Sequence, residues 1–261
     1  ERMLPETMPV CPVRGSVIYP TMVMPIDAGR PISIRAIDEA LARDRVLLIV
    51  SQRDKEVETP RPSDLFEVGT ACNILKMRKN PDGSVQVLVQ AFARVRVREW
   101  LDLGDHLEAR GEVLADEPGE PILVKALVRE VKDKFQALLK EGKYLAPEVA
   151  QFILNLEDPS QLADYVAFHM DFRLEDKQKV LETANVAERL RAAKNGIQPG
   201  APYALYLVLD LIVDQFRPVI EGMQDRFQSL ENQLMAGAKP GRAILERLQQ
   251  MPELALRLFL A

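Results

Sequence analysis

The fold is decided by residues 8–100, which read MPVCPVRGSVIYPTMVMPIDAGRPISIRAIDEALARDRVLLIVSQRDKEVETPRPSDLFEVGTACNILKMRKNPDGSVQVLVQAFARVRVREW. Short runs rich in β-branched residues lie between prolines and glycines, a pattern typical of a small, strongly bent sheet. We therefore predict strands at residues 16–19, 46–50, 71–76, 85–89 and 93–97.

The same segment predicts one helix and one tight turn. Pro31 has the φ angle of a first helical turn, and Ile34, Ile37 and Leu41 then recur at helical spacing. Further on, the run Asn80-Pro81-Asp82-Gly83 predicts a turn between two strands, because glycine tolerates positive φ. A sheet interrupted by one short helix follows from this reading.

From residue 116 onward the pattern changes from strands to helices. Residues 116–121 combine prolines, a glycine and acidic side chains, which predicts a linker after a strand-rich part at residues 5–116. An amphipathic stripe then recurs at steps of three and four, formed by Val124, Val128, Val131, Phe135 and Leu138. Further helices are predicted at residues 148–155, 160–170 and 174–183, and from Asn185 onward. The prediction is an α+β protein with a helical bundle at residues 121–191.

The composition is that of an ordinary globular protein and disfavours some functions. The chain has 261 residues and a net charge of -5, which disfavours nucleic acid as the main partner because phosphate binding needs a basic field. We interpret Arg94, Arg96 and Arg98, which alternate along one predicted strand, as a solvated strand face. No apolar run is long enough to span a bilayer, and Cys11 and Cys72 fit buried apolar positions in a reducing cytoplasm.

Residues 8–100 closely resemble the N-terminal domain of the ATP-dependent Lon proteases, and the similarity continues more weakly to residue 190. The match is carried by Pro9-Val10-Cys11-Pro12-Val13-Arg14, Tyr19-Pro20, Val23-Met24-Pro25, Gly29-Arg30, Ser33-Ile34-Arg35-Ala36, Gln52-Arg53-Asp54-Lys55-Glu56-Val57, the run from Pro62 to Thr70, Pro81-Asp82-Gly83-Ser84 and Ala93-Arg94-Val95. The resemblance implies a PUA-like β-barrel subdomain followed by the helical bundle. It also implies a bacterial homohexamer that captures exposed hydrophobic segments of unfolded or damaged proteins for degradation.

This sequence lacks the catalytic devices of that family. No Gly-Lys-Ser/Thr phosphate loop occurs, and the Gly142-Lys143 pair is predicted in an interhelical turn. The family's Ser–Lys dyad belongs to a later domain, so we expect this chain neither to hydrolyse ATP nor to cleave peptides. We expect no cofactor here, although the resemblance implies ATP and magnesium for the whole protease. The two histidines, His106 and His169, are interpreted as structural.

A recognition surface remains as the functional candidate. Residues 16–25 are apolar and broken by prolines, which predicts a loop rather than a buried central strand. Methionine and tyrosine suit a surface that accepts many sequences, because thioethers repack and tyrosine joins an apolar ring to a polar tip. The predicted substrate-binding residues are Tyr19, Pro20, Met22 and Met77. The alternative is that such residues close the barrel core, as we expect for Val23 and Ile26.

The last part of the chain has a different pattern. Residues 192–200 are small and turn-forming and predict a junction, followed by a helical tail at residues 201–261. Residues 201–235 weakly resemble the cytoplasmic stalk helix of CorA-type magnesium transporters, without that family's membrane helices or Gly-Met-Asn signature. Asp210 and Asp214 lie one helical turn apart, where two carboxylates could bind a metal ion, although we favour a solvated acidic face.

These observations lead to one functional prediction and two alternatives. The prediction is a cytoplasmic substrate-recognition and assembly domain of a Lon serine protease, with unfolded proteins as partners and no membrane contact. One alternative is a PUA-like module that binds nucleic acid or a small ligand, since barrels of this shape host many functions. The other is a magnesium-responsive helical tail.

Overall fold

The computed structural model describes residues 4–141, 145–170 and 172–197, which contain six strands, six α-helices and a short 3-10 helix at Pro62–Asp64. The strands are β1 (Met8–Val13), β2 (Val23–Ala28), β3 (Val46–Ser51), β4 (Val68–Lys79), β5 (Val85–Asp102) and β6 (Leu107–Val113). The helices are α1 (Pro31–Ala42), α2 (Pro121–Glu141), α3 (Pro147–Asn155), α4 (Pro159–His169), α5 (Leu174–Glu182) and α6 (Val186–Gly196). The α+β prediction is confirmed.

The six strands form one sheet in the order β2-β5-β4-β3-β1-β6. Strands β1 and β3 run parallel, and the other neighbours are antiparallel. Strand β5 pairs with β2 and β4 through its N-terminal part and with β6 through its C-terminal part. The β4–β5 ladder has two register shifts, one that leaves Phe92 of β5 without a cross-strand partner position and one that does the same for Leu75 of β4. The predicted bending of the sheet follows from these shifts and from the pairing of β5 with different strands at its two ends.

Helix α1 covers one face of this sheet. Its residues Ala36, Ile37 and Ala40 are fully buried, and Ile34 and Leu41 pack partly buried against the same cluster. The predicted helical stripe is therefore the face that α1 turns towards the sheet.

Several strand predictions are corrected by the structure. Residues 16–19 form an irregular loop between β1 and β2 rather than a strand, and the side chains of Val17, Ile18 and Tyr19 are buried. The predicted strands at 85–89 and 93–97 are one continuous strand, β5. The sequence does not predict β1, β2 or β6, because prolines in β1 and β2 resemble strand breaks. Strand β2 accommodates Pro25 since it lies at the sheet edge.

Residues 116–121 are held in place and do not form a free linker. The backbone N–H of Glu117 donates to the oxygen of Ala184, and the N–H of Val186 donates to the oxygen of Glu117, both at 2.9 Å. This pairing ties the connection between β6 and α2 to the start of α6.

The helical part packs around the stripe predicted on α2. Residues Val124, Val131, Phe135 and Leu138 are buried, and they contact apolar residues of α3, α4 and α6 in one cluster. Helix α4 begins at Pro159 after Asp158, whose carboxylate accepts hydrogen bonds from the N–H groups of Ser160 and Gln161. The predicted helix starts near Pro159 and Asn185 are thus confirmed.

Helix α6 extends to Gly196, so the predicted junction from residue 192 is wrong for residues 192–196. Ala193 is fully buried in the helical core, which explains why small residues continue the helix there. The described residues all belong to one compact unit. Residues 198–261, with Asp210 and Asp214, lie outside the described residues.

The cysteines and histidines occupy structural positions. Cys11 and Cys72 are buried and unpaired, and burial raises the pKa of the Cys11 thiol to about 11. His106 is buried beside Asp105, with its Nδ1 at 2.6 Å from that carboxylate, and His169 stacks on its helix neighbour Tyr165. Among the described helices, none combines the length and apolarity needed to cross a membrane.

Candidate functional site

Tyr19 and Met22 lie inside the protein, with 0% and 4% of their surface exposed. Together with Val17 they pack against Ala167 of α4 and Val180 of α5. The hydroxyl of Tyr19 donates a 2.8 Å hydrogen bond to a backbone oxygen of α5. The sequence left open whether Tyr19 and Met22 are exposed or close the core, and the structure shows both of them buried. Their loop joins the strand-rich part to the helices.

A buried cluster of charged side chains links the strand-rich part to the helices at the same interface. Arg94 Nη2 on β5 lies 2.5 Å from both carboxylate oxygens of Asp164 on α4. Arg189 Nη2 on α6 lies 2.7 Å from an oxygen of Asp116, and its Nη1 lies 3.3 Å from Asp164. The side chains of Arg94, Asp164 and Arg189 are at most 3% exposed. The interpretation of Arg94 as a solvated residue is wrong, whereas Arg98 on the same strand is exposed.

The two carboxylates of this cluster ionise differently. Burial raises the pKa of Asp164 to about 6, although the guanidinium groups of Arg94 and Arg189 oppose the shift. Burial also acts against ionisation of Asp116, but hydrogen bonds from Arg189 and Ser160 outweigh it and lower the pKa of Asp116. Removing one partner from such a cluster leaves an uncompensated buried charge. The cluster thus stabilises the contact of β5 with α4 and α6.

Three of the seven large exposed apolar side chains among the described residues lie on three neighbouring strand segments, which we name the β2–β5–β4 arm: residues 23–28, 85–90 and 74–79. Val23 is 53% exposed, Leu75 43% and Met77 37%. Val23 was expected in the core, and that expectation is wrong. The odd-numbered residues of β2 point to solvent, while Met24 and Ile26 pack partly buried against the core beneath α1.

Cross-strand rows define the two faces of the arm. Pro25, Leu88 and Lys76 are neighbours in one row on the solvent face. Ile26, Val87 and Met77 form the next row, on the face that packs towards α1. Met77 is exposed because it ends its row at the edge of β4, whereas Val87 in the middle is buried. The row that contains Met77 therefore carries apolar side chains as far as the edge of β4, whereas the row on the solvent face ends there at Lys76.

The structure does not bring the four predicted binding residues into one patch. Met22 lies beside Ala91, whose N–H donates to the Met22 oxygen at 2.8 Å, while Met77 pairs with Val87. Four residues of strand separate Ala91 from Val87, about 13 Å at the usual rise. Pro20 is partly exposed at the turn before β2. The role of these four residues in substrate binding stays a prediction.

Sequence reasoning missed Val23, Pro25 and Leu75 as surface residues. Pro25 was read as a strand break, which hid the alternation of β2. A usable signal was present in residues 75–79, Leu-Lys-Met-Arg-Lys, where apolar and basic residues alternate as on a half-exposed strand. Within the described ranges, no three His, Cys, Asp or Glu side chains are grouped to hold a metal ion. What the arm offers is apolar contact, positive charge and backbone hydrogen bonding.

Comparison with known families gives a match over most of the described residues. The family model of the ATP-dependent protease La (LON) substrate-binding domain matches residues 7–195. Lon protease of Escherichia coli (strain K12) is 40% identical over 183 residues, covering 70% of this chain and 23% of that protein. Lon protease 2 of Bdellovibrio bacteriovorus is 35% identical over 190 residues, covering 72% of this chain and 24% of that protein. The chain thus spans about a quarter of the length of these relatives.

A solved structure agrees with the fold. The N-terminal domain of the Mycobacterium avium complex Lon protease superposes with a TM-score of 0.62 at 26% identity. The superposition covers 73% of this chain and 97% of that domain. The resemblance of residues 201–235 to a magnesium transporter finds no support in these matches. The nucleic-acid, small-ligand and magnesium-responsive alternatives likewise find no support in these matches.

Proposed function

Because the chain belongs to the family of ATP-dependent protease La (Lon) substrate-binding domains, we propose that it binds exposed hydrophobic segments of unfolded or damaged proteins, here called clients, through the β2–β5–β4 arm. The observation that carries this assignment is the exposure of Leu75 and Met77 on β4 and of Val23 on β2, the two strands that flank β5. Apolar side chains grouped at a surface commonly mark an interaction site. The loop of Tyr19 and Met22, in contrast, is covered by α4 and α5.

Binding at one arm is weak in this proposal. Covering a side chain such as Val23 or Met77 contributes about 25 cal/mol for each Å² of apolar area removed from water. The cost of ordering a flexible client offsets part of that gain. In a homohexamer, several arms act on one client and raise its effective concentration. Weak single sites also let the client dissociate from the arm and move on to the ATP-dependent part of the protease.

The proposal assigns the remaining activities to other parts of the protease. ATP, magnesium and the Ser–Lys dyad act in segments of the relatives that this chain does not match. This chain then contributes recognition and assembly and is not itself an enzyme. The proposed location is the cytoplasm, and the free, buried Cys11 and Cys72 support it, because cytoplasmic thiols stay reduced.

The test is client binding by a variant that removes the apolar side chains of the arm. We propose Val23→Ser, Leu75→Ser and Met77→Ser in one chain, titrated against a fluorescently labelled, reduced and alkylated protein that cannot refold. Fluorescence anisotropy should show affinity reduced by about tenfold or more, as expected for losing apolar contacts of about 1.4 kcal/mol or more.

A matched control removes apolar side chains of similar exposure elsewhere. Leu103 is 53% exposed and Ile122 is 77% exposed, and both lie outside the arm. The variant with Leu103→Ser and Ile122→Ser should bind the client as the unchanged chain does. Equal losses in both variants would show that any exposed apolar residue serves, which contradicts a dedicated arm.

A further inference from the structure

The open edge of β4 is the most distinctive feature of the arm. Strand β3 pairs with β4 only as far as Asn73, and β5 pairs with it as far as Lys79. In the described part of the chain, no strand lies on the other side of residues 75–79. Such an edge offers backbone N–H and C=O groups to an added strand.

The hairpin turn fixes which backbone groups face outward. The N–H of Asn80 donates to the oxygen of Ser84 at 2.9 Å, so these two residues form a hydrogen-bonded pair. Hydrogen-bonded and non-hydrogen-bonded pairs alternate in an antiparallel ladder. The pairs Lys79–Val85 and Met77–Val87 are then non-hydrogen-bonded. The backbone groups of Met77 and Lys79 consequently point away from β5, towards the open edge.

The charges of this edge are of one sign. Lys76 and Arg78 are exposed on the solvent face, and no salt bridge within the described residues engages either of them. Lys79, on the other face, lies 3.7 Å from Asp38 of α1. Two such edges would place cations opposite cations, which disfavours pairing with a second copy of this chain. An incoming strand with carboxylates opposite Lys76 and Arg78 meets complementary charge instead.

We propose that residues 75–79 bind a client by strand addition, and that the preferred segment alternates acidic and apolar residues. The acidic side chains lie opposite Lys76 and Arg78, and the apolar residue between them lies on the same face as Met77. Backbone hydrogen bonds to Met77 and Lys79 supply affinity without sequence preference, while the charge pattern selects the segment. This inference rests on the proposed client-binding function and names the class of segment bound.

The probe is a short synthetic peptide of repeating Glu-Val, compared with the same peptide N-methylated on alternate backbone nitrogens. Strand addition predicts that N-methylation of the nitrogens facing β4 weakens binding to the full chain by about tenfold, because buried hydrogen-bond acceptors lose their donors. A repeating Lys-Val peptide should bind more weakly than Glu-Val. The variant with Lys76→Glu and Arg78→Glu should reverse that order.

A pair of substitutions at one position separates the backbone from the side chain. Met77→Pro removes the outward N–H, and β5 pairing survives since that N–H does not belong to the β4–β5 ladder. Met77→Ser removes the side chain and keeps the N–H. Met77→Pro should weaken Glu-Val binding more than Met77→Ser does. Circular dichroism shows whether both variants remain folded.

Several results would overturn strand addition. Equal binding of the methylated and unmethylated peptides excludes it. Strand addition of a client is also excluded if the peptide fails to bind and sedimentation equilibrium shows a dimer of this chain that Met77→Pro abolishes, because the edge of β4 then pairs with a second copy. If unfolded clients still bind the Met77→Pro and charge-reversed variants with unchanged affinity, the proposed function stands and this mode of binding fails. If no client binds the unchanged chain, the proposed function itself fails.

Discussion

The hydroxyl of Tyr19 donates a 2.8 Å hydrogen bond to the backbone oxygen of Lys177, although the two residues lie 158 positions apart. Near it, Gln178 donates to the oxygen of Val68 at 2.8 Å. The first loop of the strand-rich part is therefore fixed to α5 by polar contacts within an apolar interface. A loop used in this way supports the fold, which agrees with the proposal that clients bind at the β2–β5–β4 arm.

Replacing Tyr19 by Phe should lower stability and spare binding. The variant removes one hydrogen bond from a buried interface, and the net contribution of such a bond is about 0.5–1.5 kcal/mol of unfolding free energy. Urea unfolding measures that loss, and client anisotropy should stay unchanged. Unaltered stability with weakened client binding would instead place Tyr19 in the binding surface.

Replacing Arg94 by Met should destabilise the protein strongly. Asp164 then keeps Arg189 but loses its closest partner in a buried site, and breaking such a pair costs about 3–5 kcal/mol. Arg98→Met on the same strand is the control, because Arg98 pairs with Glu112 at the exposed surface and should matter little. Similar midpoints for both variants in urea would show that the cluster does not fasten the fold.

Asp164 should give the protein a distinctive pH dependence. Its pKa is about 6 in the folded protein and 3.8 in its ordinary state, so the folded state takes up a proton first as the pH falls. The resulting stabilisation is complete below pH 3.8 and is lost as the pH rises through 6. Relative to Asp164→Asn, the unchanged protein should gain about 1.4 kcal/mol of unfolding free energy between pH 7.5 and pH 5. A pH-independent difference would mean that the two arginines keep Asp164 ionised.

Gly69 should not tolerate a side chain. A Cβ atom there would lie 2.5 Å from the backbone oxygen of Ile49 and 2.7 Å from a methyl of Val50. Because a backbone atom cannot move aside, Gly69→Ala should cost about 1–3 kcal/mol in unfolding free energy. Gly29→Ala serves as the control, since nothing lies within 4 Å of its Cβ position. Equal stability of both variants in thermal unfolding would contradict the packing described at Gly69.

Local signals predicted the helices well. Pro31, Pro147 and Pro159 are each the first residue of a helix, and Asn185 caps α6. These features depend on a few neighbouring residues, which the sequence displays directly. The stripe on α2 was equally readable, because helical periodicity alone defines its buried face.

Long-range packing limited the other predictions. Arg94 has the same local pattern as Arg98, and only the placement of α4 and α6 over β5 buries one and leaves the other exposed. Val23 was misplaced for the same reason, and the burial of Tyr19 could not be decided. The helices cover the loop of Tyr19, and nothing among the described residues covers the odd positions of β2. Spacing along the chain carries no information about which surface another element will cover.

The most direct test of the account is amide hydrogen exchange of the full chain with and without a reduced and alkylated client. The account predicts slower exchange in the arm, at residues 23–28 and 75–79, when the client is present. Exchange in the loop at residues 16–22 and in α5 should not change. Protection at residues 16–22 with none in the arm would contradict the central claim that the β2–β5–β4 arm is the binding surface.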